Sequence, residues 1–578
     1  MNKSNLHFAI SGLHLRCLAG RERGSILLGV MIVMIFLAGG LGTYLSSLSN
    51  IEHLQDQRIM NDRAFMAAES GLAKAIVQLQ GMATPPGTDQ SWNEDVPAEQ
   101  FAPFQSVTVN VYVQTINADK RWTLAATATA AEDSRNPHFC RRVQTTLFQE
   151  NFAKYEYFVN DYGGVWSPGY LQFEGFNSVF LGPYHSNSGV AFWPNLWMVN
   201  EATTAAPKGV RYFANYGTYV AGVYGKPDAN DYANILQYYS SEFPNAPQFY
   251  KGLNVLPKAI ELPNSSKAND STAPLRNNAG LTLPAGYKDY DATKGANFTV
   301  ELQPGNKKDG NGTVEVRQYL GLDKNNKPTY GKKETYSVDD INNALVVYGD
   351  IKSIEGTLDG KLTVAAFAKA SNPDGLDPKD PNPGDPGGSI DITGSLNYAS
   401  RPDDMSYTDA PGLYTADHTG INQDYVATLL DQMKKVTDVL GLFSEADVTI
   451  KEKDLDGNLV AADVKNPIHI DAVVMATGSA TDNSQDGGFA VENFLTRAKG
   501  AALTLGGQIQ NHGYSWALFS GNTFTNGILQ TRLWDQRAYQ PGGAPPFFPT
   551  TGNLQVVPQS WRSSYVENAT TVPTFFPH

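Results

Sequence analysis

The chain has 578 residues, enough for several domains, so core burial places no limit on the fold. Charged residues make up only 18% while glycine (53) and proline (33) are abundant, the balance of an exported, turn-rich β protein rather than a helical cytosolic one. Net charge is −14, and because Lys3, Arg16, Arg21 and Arg23 outweigh Glu22 in residues 1–24, the acidic excess lies in the remainder. Such a body repels phosphate backbones, which argues against a nucleic-acid partner.

Cysteine is nearly absent. Cys17 and Cys140 are the two thiols, and Cys17 falls in a segment expected to be removed. One remaining thiol makes neither an internal disulfide nor a cysteine-based zinc cluster. Cys140, beside Phe139 and Arg141, is expected to be a small buried hydrophobe.

No charged side chain occurs between Arg23 and Glu52. Within that interval Ile26–Tyr44 gives 19 largely apolar residues, close to the ~20 that cross a bilayer as a helix. The arginines before it keep that end cytoplasmic. Three readings compete: an uncleaved anchor, an ordinary secretory signal ending near Ala38-Gly39-Gly40, or a short basic leader cut before the apolar run. The third suits Arg21-Glu22-Arg23-Gly24-Ser25 and the unbroken helical pattern that follows. From Leu45 to Gln80 there is no proline. Phe65, Ala68, Leu72, Ala75, Ile76 and Leu79 recur at three- and four-residue steps, an amphipathic stripe that ends at Gly81 and Pro85-Pro86. Ser25–Gln80 is therefore expected to form one helix, about 85 Å long at 1.5 Å per residue.

RERGSILLGVMIVMIFLAGG followed by RAFMAAESGLAKA (Arg63–Ala75) resembles the N-terminal region of PilX-type pilus assembly proteins, and is similar to the tip pseudopilin of type II secretion. The resemblance covers about 60 residues. It implies cleavage by prepilin peptidase between Gly24 and Ser25, and an α+β fold: a long transmembrane and amphipathic pilin helix (25–80), then a small antiparallel sheet (81–150). It further implies pilin or pseudopilin partners through the helix, a place in the cytoplasmic membrane with the body in the periplasm or in a pilus at the surface, and no cofactor. Most major pilins carry a glutamate at the fifth mature position, where this chain has Gly29. That departure points to a tip or initiating role, and leaves open that the protein never enters a filament.

Three strand-like runs follow the helix: Ser106–Val113, Arg121–Ala130 and Arg142–Gln149. An aromatic and glycine-rich β region spans 151–264. Gly182-Pro183-Tyr184-His185-Ser186-Asn187, Leu256-Pro257 and Glu261-Leu262-Pro263 resemble the body of pilin-associated proteins known only as an uncharacterised domain, as do the run around Val347–Ala366 and Trp534–Gly552. His185 in its Gly-Pro turn reads as a loop hydrogen-bonding group ahead of a metal ligand or catalytic base. Residues 265–343 are expected to be a connector, mobile over 265–296, followed by strands Asn297–Leu302 and Thr313–Tyr319 and a hairpin tip. From 344 to 578 a large, mostly-β domain is expected, solenoid- or sandwich-like, because short β runs turn at Gly or Asn without a fixed period. One helix is expected over Asn422–Leu440.

No zinc-protease, nucleophile-elbow, phosphate-loop or Cys-x-x-Cys motif is present. Asp374, Asp377, Asp380 and Asp385 in Pro373–Gly388 read as a solvated loop, with calcium binding as the alternative. Asp454-Leu455-Asp456-Gly457 reads as a hairpin turn before a calcium loop. Asp417-His418-Thr419 is a weak triad fragment. The expected function is non-enzymatic, that of a minor pilin. The rivals are a tethered β-solenoid carbohydrate-active enzyme, with acidic residues lining the stacked sheet, and an adhesin using the aromatics of 155–250.

Overall fold

The computed structural model describes residues 25–565 except 130–139, 162–171, 206–209, 224–247, 306–310, 403–421, 480–486 and several segments of one to three residues. The first element, α1, runs unbroken from Ser25 to Gly81. Its glycines do not interrupt it. Thr43 returns its hydroxyl to the carbonyls of Gly39 and Gly40 at 3.1 and 2.9 Å, so its polar group is satisfied within the helix.

The second half of α1 lies on an antiparallel sheet of six strands: β1 (Gln90–Asp95), β2 (Ser106–Ile116), β3 (Asp119–Thr129), β4 (Cys140–Asn151), β5 (Thr550–Val556) and β6 (Arg562–Tyr565). Ala64, Ala67, Ala68, Leu72, Ala75 and Leu79 are buried against alternating residues of the sheet: Val107, Val109 and Val111 of β2, Trp122, Leu124 and Ala126 of β3, and Val143 and Leu147 of β4. Small residues set the distance. A Cβ on Gly71 would lie 2.9 Å from Val107, so the helix rests directly on β2. Phe65 and Ile76 are only half-buried at the edge of this core.

The last two strands were not foreseen as part of this module. Both β5 and β6 pair antiparallel with β4, so the long body between Asn151 and Thr550 is an insertion into one small sheet.

That body is a stack of parallel rungs. The chain alternates between a ten-stranded sheet (sheet one) and a twelve-stranded sheet (sheet two). In sheet one, Ala344–Tyr348, Lys361–Phe367, Val439–Ser444, Val473–Ala476 and Gln508–His512 pair parallel in that order. Sheet two stacks Asn297–Gln303, Asp350–Leu358, Ile390–Tyr398, Ile468–Asp471, Gly500–Leu505 and Thr523–Leu533 likewise. Among the described residues this parallel stacking is the solenoid alternative and not a sandwich of antiparallel sheets. Val347, Val364, Leu442 and Val474 of sheet one meet Ile351, Ile392, Leu396 and Ile470 of sheet two in one apolar core. Gly349 turns the chain from one sheet into the other with φ +152°, and a Cβ there would fall 2.0 Å from Ala296 O. The antiparallel strand Thr313–Leu322 covers one end of sheet two.

Order along the solenoid differs from order along the chain. The first rungs in sequence, Tyr157–Asp161, Tyr184–Ser186, Ala202–Thr204 and Leu253–Val255, stack onto the last one, Gln508–His512. The chain thus starts mid-stack, builds to one end, returns along the outside and fills the stack from the far end. The return is a packed strap. Ile260 and Leu275 are buried against Phe158, Val346 and Phe367, and Asn187 holds the backbone of Ile260 through both side-chain atoms. The expectation of mobility over 265–296 is therefore corrected: Thr272, Leu275, Leu281, Leu283 and Tyr287 are all buried. The expected helix over Asn422–Leu440 is shorter, Gln423–Met433, because Val439–Ser444 enters sheet one while Val436 and Leu440 stay in the same core.

Candidate functional site

Two zones divide α1. Every described side chain from Leu28 to Ile59 is exposed, Phe36 at 77%, and burial begins only where the sheet does. Leu28–Gly81 contains a stretch long and apolar enough to cross a membrane, and none of that stretch is buried inside the protein. The 16 large apolar side chains exposed between Leu28 and Ile59 would be untenable in water for a secreted domain, whereas hydrocarbon or other helices would accommodate them. Ser25 begins the helix; Gly24 and the basic residues before it lie outside the described residues. A Cβ on Gly29 would meet nothing within 4 Å, so the missing glutamate is not excluded by space.

His185 lies in the strand Tyr184–Ser186 and not in a loop as expected, though it does serve as a hydrogen-bonding group. It is fully buried, its Nδ1 2.8 Å from Thr203 Oγ1 and its Nε2 2.7 Å from Asn187 Oδ1, with the ring 4.8 Å from that of Phe158. Burial, helped by the charge of Lys154, pulls its pKa down to about 4 against the opposing bond to Asn187. A neutral ring with both nitrogens occupied is neither a ligand nor a base.

Sheet two carries the perturbed carboxylates. Burial raises Asp391 to about 6, with Lys451 and Lys352 opposing and Asp350 and Glu492 adding to the rise. Asp471 also rises to about 6 through burial, although Arg401 Nη1 lies 3.2 Å from its Oδ1. Burial, and after it the same Arg401, holds His469 down to about 4. Asp391 stands opposite Thr449, five residues before the Leu396 that faces Ile470, so Asp391 and Asp471 do not form one acid–base pair. Glu301 and Glu355 do stand opposite each other in register, and burial together with Glu301, Asp454 and Asp456 raises Glu355.

A polar cavity of about 300 Å³ opens at the corner lined by Asn311, Asp339, Asp359, Lys361 and Asp438. Its acids are already engaged. Asp438 accepts from Gly360 N at 2.7 Å and from Ser400 N and Oγ at 2.7 and 2.6 Å, and Asp359 accepts from Gly305 N at 3.2 Å.

In the acidic loop, Asp380 pairs with Lys369 at 2.8 Å and Asp385 accepts from Gly387 N, which leaves no convergent set; Asp377 lies outside the described residues. Asp454 closes its hairpin by accepting from Asn458 N and Nδ2, both at 2.8 Å. Among the described residues no three His, Cys, Asp or Glu side chains are placed to hold a metal. Asp417, His418, Thr419, Cys17 and the side chain of Cys140 fall outside the description. Of the aromatics in 155–250, Phe158, Phe180, Tyr184, Phe192 and Trp197 are core, while Tyr250 is exposed.

Sequence reasoning missed the Arg401–His469–Asp471 cluster and the Glu150–Lys154 pair, to which Gln555 also bonds. Arg401 lies 68 and 70 residues from His469 and Asp471, and Gln555 lies 405 from Glu150, so no spacing signals these contacts.

No family model, no curated protein and no solved structure matches this chain. By architecture it is a helix-and-sheet module with a membrane-compatible N-terminal half-helix and a parallel β-solenoid inserted into its sheet.

Proposed function

We propose that the chain is a non-enzymatic, minor pilin-like component of a type IV pilus or related secretion machine, processed between Gly24 and Ser25. The observation that carries this reading is the single helix α1, apolar and uncovered along its first half and packed on an antiparallel sheet along its second. The exposed half holds the protein in the cytoplasmic membrane, body outward, and then packs among the helices of other pilins or pseudopilins. A solenoid of this bulk on every subunit would crowd a thin filament, which supports low copy number or a tip position, as does Gly29. Prepilin peptidase is the processing partner, and neither nucleic acid nor a cofactor is required.

N-terminal sequencing of protein isolated from the cell envelope tests the proposal. A chain beginning at Ser25 is expected. A start at Met1 or near Gly40 refutes processing and removes the ground for a pilin relative.

A second reading, a membrane-tethered carbohydrate-active enzyme, draws support from Glu301 and Glu355 paired on sheet two. Release of sugars from surface glycans by the detergent-solubilised chain, abolished by Glu355→Gln, would favour it over the structural role.

A further inference from the structure

The sheet under α1 is built from the two ends of the chain. Between Asn151, the last residue of β4, and Thr550, the first of β5, lies a solenoid of about 400 residues. Beyond it in the chain β5 lies beside β4, Thr550 opposite Asn151 and Leu554 opposite Gln149, with β6 continuing along Gln144 to Arg141.

What holds this terminal segment is mostly polar. Among its described side chains Leu554 is the one buried apolar anchor, at 3% exposure in the module core, whereas Val556 and Trp561 are 45% and 43% exposed. Gln80 on α1 donates to Leu554 O at 2.9 Å, across 474 residues of sequence. The buried carboxylate of Glu150 accepts from Thr551 Oγ1 at 2.9 Å and from Gln555 Nε2 while also pairing with Lys154. Ser560 meets Thr145 and Thr146 at 3.0 and 3.1 Å, and Trp561 packs edge-on to Phe65 of α1 at 5.9 Å. An edge strand with one apolar anchor and solvated backbone bonds opens at lower free energy than a core of stacked strands.

We infer that residues 550–565 are a completion strand, a latch that docks onto β4 last and opens independently of the solenoid. The docking edge is specific: it offers the backbone of β4, a slot for one leucine, and Glu150 as an acceptor for a hydroxyl and an amide. A chain that stops short of Thr550, or whose solenoid fails to return Pro549 to Phe152, leaves β4 as a bare edge with Glu150 holding Lys154 alone. Module closure therefore reports that the whole insertion has been made and folded, a completeness check built into the topology. This inference does not depend on the pilin-like reading.

Hydrogen exchange on the intact chain in detergent micelles tests it. Amides of β5, β6 and the facing amides of β4 are expected to exchange as one group, faster than those of Lys361–Phe367, Val439–Ser444 and Val473–Ala476. Leu554→Asp should speed the latch group about a hundredfold and Gln555→Ala about tenfold, the solenoid amides staying unchanged in both. A synthetic peptide spanning 548–566, added to the Leu554→Asp protein, should restore protection of β4. Exchange of latch and solenoid at one common rate, loss of solenoid protection in step with the latch in the Gln555→Ala protein, or failure of the peptide to protect β4 overturns the inference.

Discussion

Asn160 donates its side-chain amide to Asn511 Oδ1 at 2.8 Å although 351 residues separate them. Asn187 continues the row by donating to Asn160 Oδ1 at 2.9 Å. The three stack at the same corner of consecutive rungs, across the seam where the first-made part of the solenoid meets the last-made part. Nothing covalent crosses that seam in sequence order, so parallel pairing of Tyr157–Asp161 with Gln508–His512 and this amide row fix its register.

Removing the row should weaken the seam first. Asn160→Ala and Asn511→Ala are each expected to cost about 1–3 kcal/mol, because truncation strands a partly buried amide on the other side. The double variant should cost clearly less than the sum, since the second truncation removes a bond already lost. Denaturant unfolding of the four proteins in the cycle gives the coupling. Additive losses would mean that the two amides do not support each other.

The exposed half of α1 gives a second expectation. Ile32 and Phe36 touch nothing in the module, being 46% and 77% exposed, so charging them leaves the body intact. Ile32→Arg with Phe36→Arg adds about 6 kcal/mol to bilayer insertion at roughly 3 kcal/mol per site. The variant should move from the alkali-resistant membrane pellet to the soluble fraction while the thermal midpoint of its body stays put. Retention in the membrane would show that another part of the chain anchors it.

A third expectation concerns acid. His185, held down to about 4, stays neutral when folded while the unfolded chain takes up a proton below about 6.5, so its contribution is complete above 6.5 and is lost as pH falls towards 4. That loss is on the order of 3 kcal/mol. Asp391 and Asp471, raised to about 6, act in the opposite sense: the folded chain protonates first, and stability is regained as pH falls from 6 towards 4. His469, also held down to about 4, acts in the same sense as His185, so two histidines oppose two aspartates and the wild-type profile between pH 6.5 and 4 is shallow. Asp391→Asn should steepen the acid loss, and His185→Gln should flatten or invert it. Thermal midpoints at pH 7, 5.5 and 4.5 measure both, and parallel profiles for the two variants would contradict the assignment.

Periodicity made α1 readable. A charge-free apolar run and a three-four stripe without proline specify one rod, and alternating valines in Ser106–Val113 specify a strand packed beneath it. Short β runs turning at Gly or Asn announced a mostly-β body but left a solenoid and a sandwich both open. The permuted order did not show, because Gln508–His512 and Tyr157–Asp161 are ordinary strands whose pairing depends on where the strap leads. Nor did the return of β5, since TTGNLQV has no alternation strong enough to name its partner. The connector around 265–296 looked loose for a related reason. Its polar residues bond locally, Asp270 to Arg276 and Asp291 to Thr293, while single apolar residues such as Leu275 do the anchoring. Rung spacing lacked a period because connections of very different length lead from sheet one to sheet two, the single residue Gly349 and the stretch 368–389 among them.

The glycine in Gly182-Pro183-Tyr184-His185 illustrates how a motif that looked chemical can be mechanical. A Cβ on Gly182 would stand 2.3 Å from Trp534 Cγ, so the indole lies flat against the backbone there, its Nε1 donating to Lys154 O at 3.0 Å. Gly182 N also donates to the buried carboxylate of Glu156 at 2.6 Å. This is the joint where the β4 exit, the first rungs and the returning C-terminal segment meet. Gly182→Ala forces the ring aside and should cost about 1–3 kcal/mol or more, with a shift in tryptophan emission as the indole leaves its site. Trp534→Leu should also destabilise, by about 3 kcal/mol, through lost burial and the lost bond. In the Trp534→Leu background, however, Gly182→Ala meets open space and should be nearly silent. Thermal unfolding of the single and double variants decides the matter, and a full-sized Gly182→Ala penalty in both backgrounds would place the constraint somewhere other than the indole.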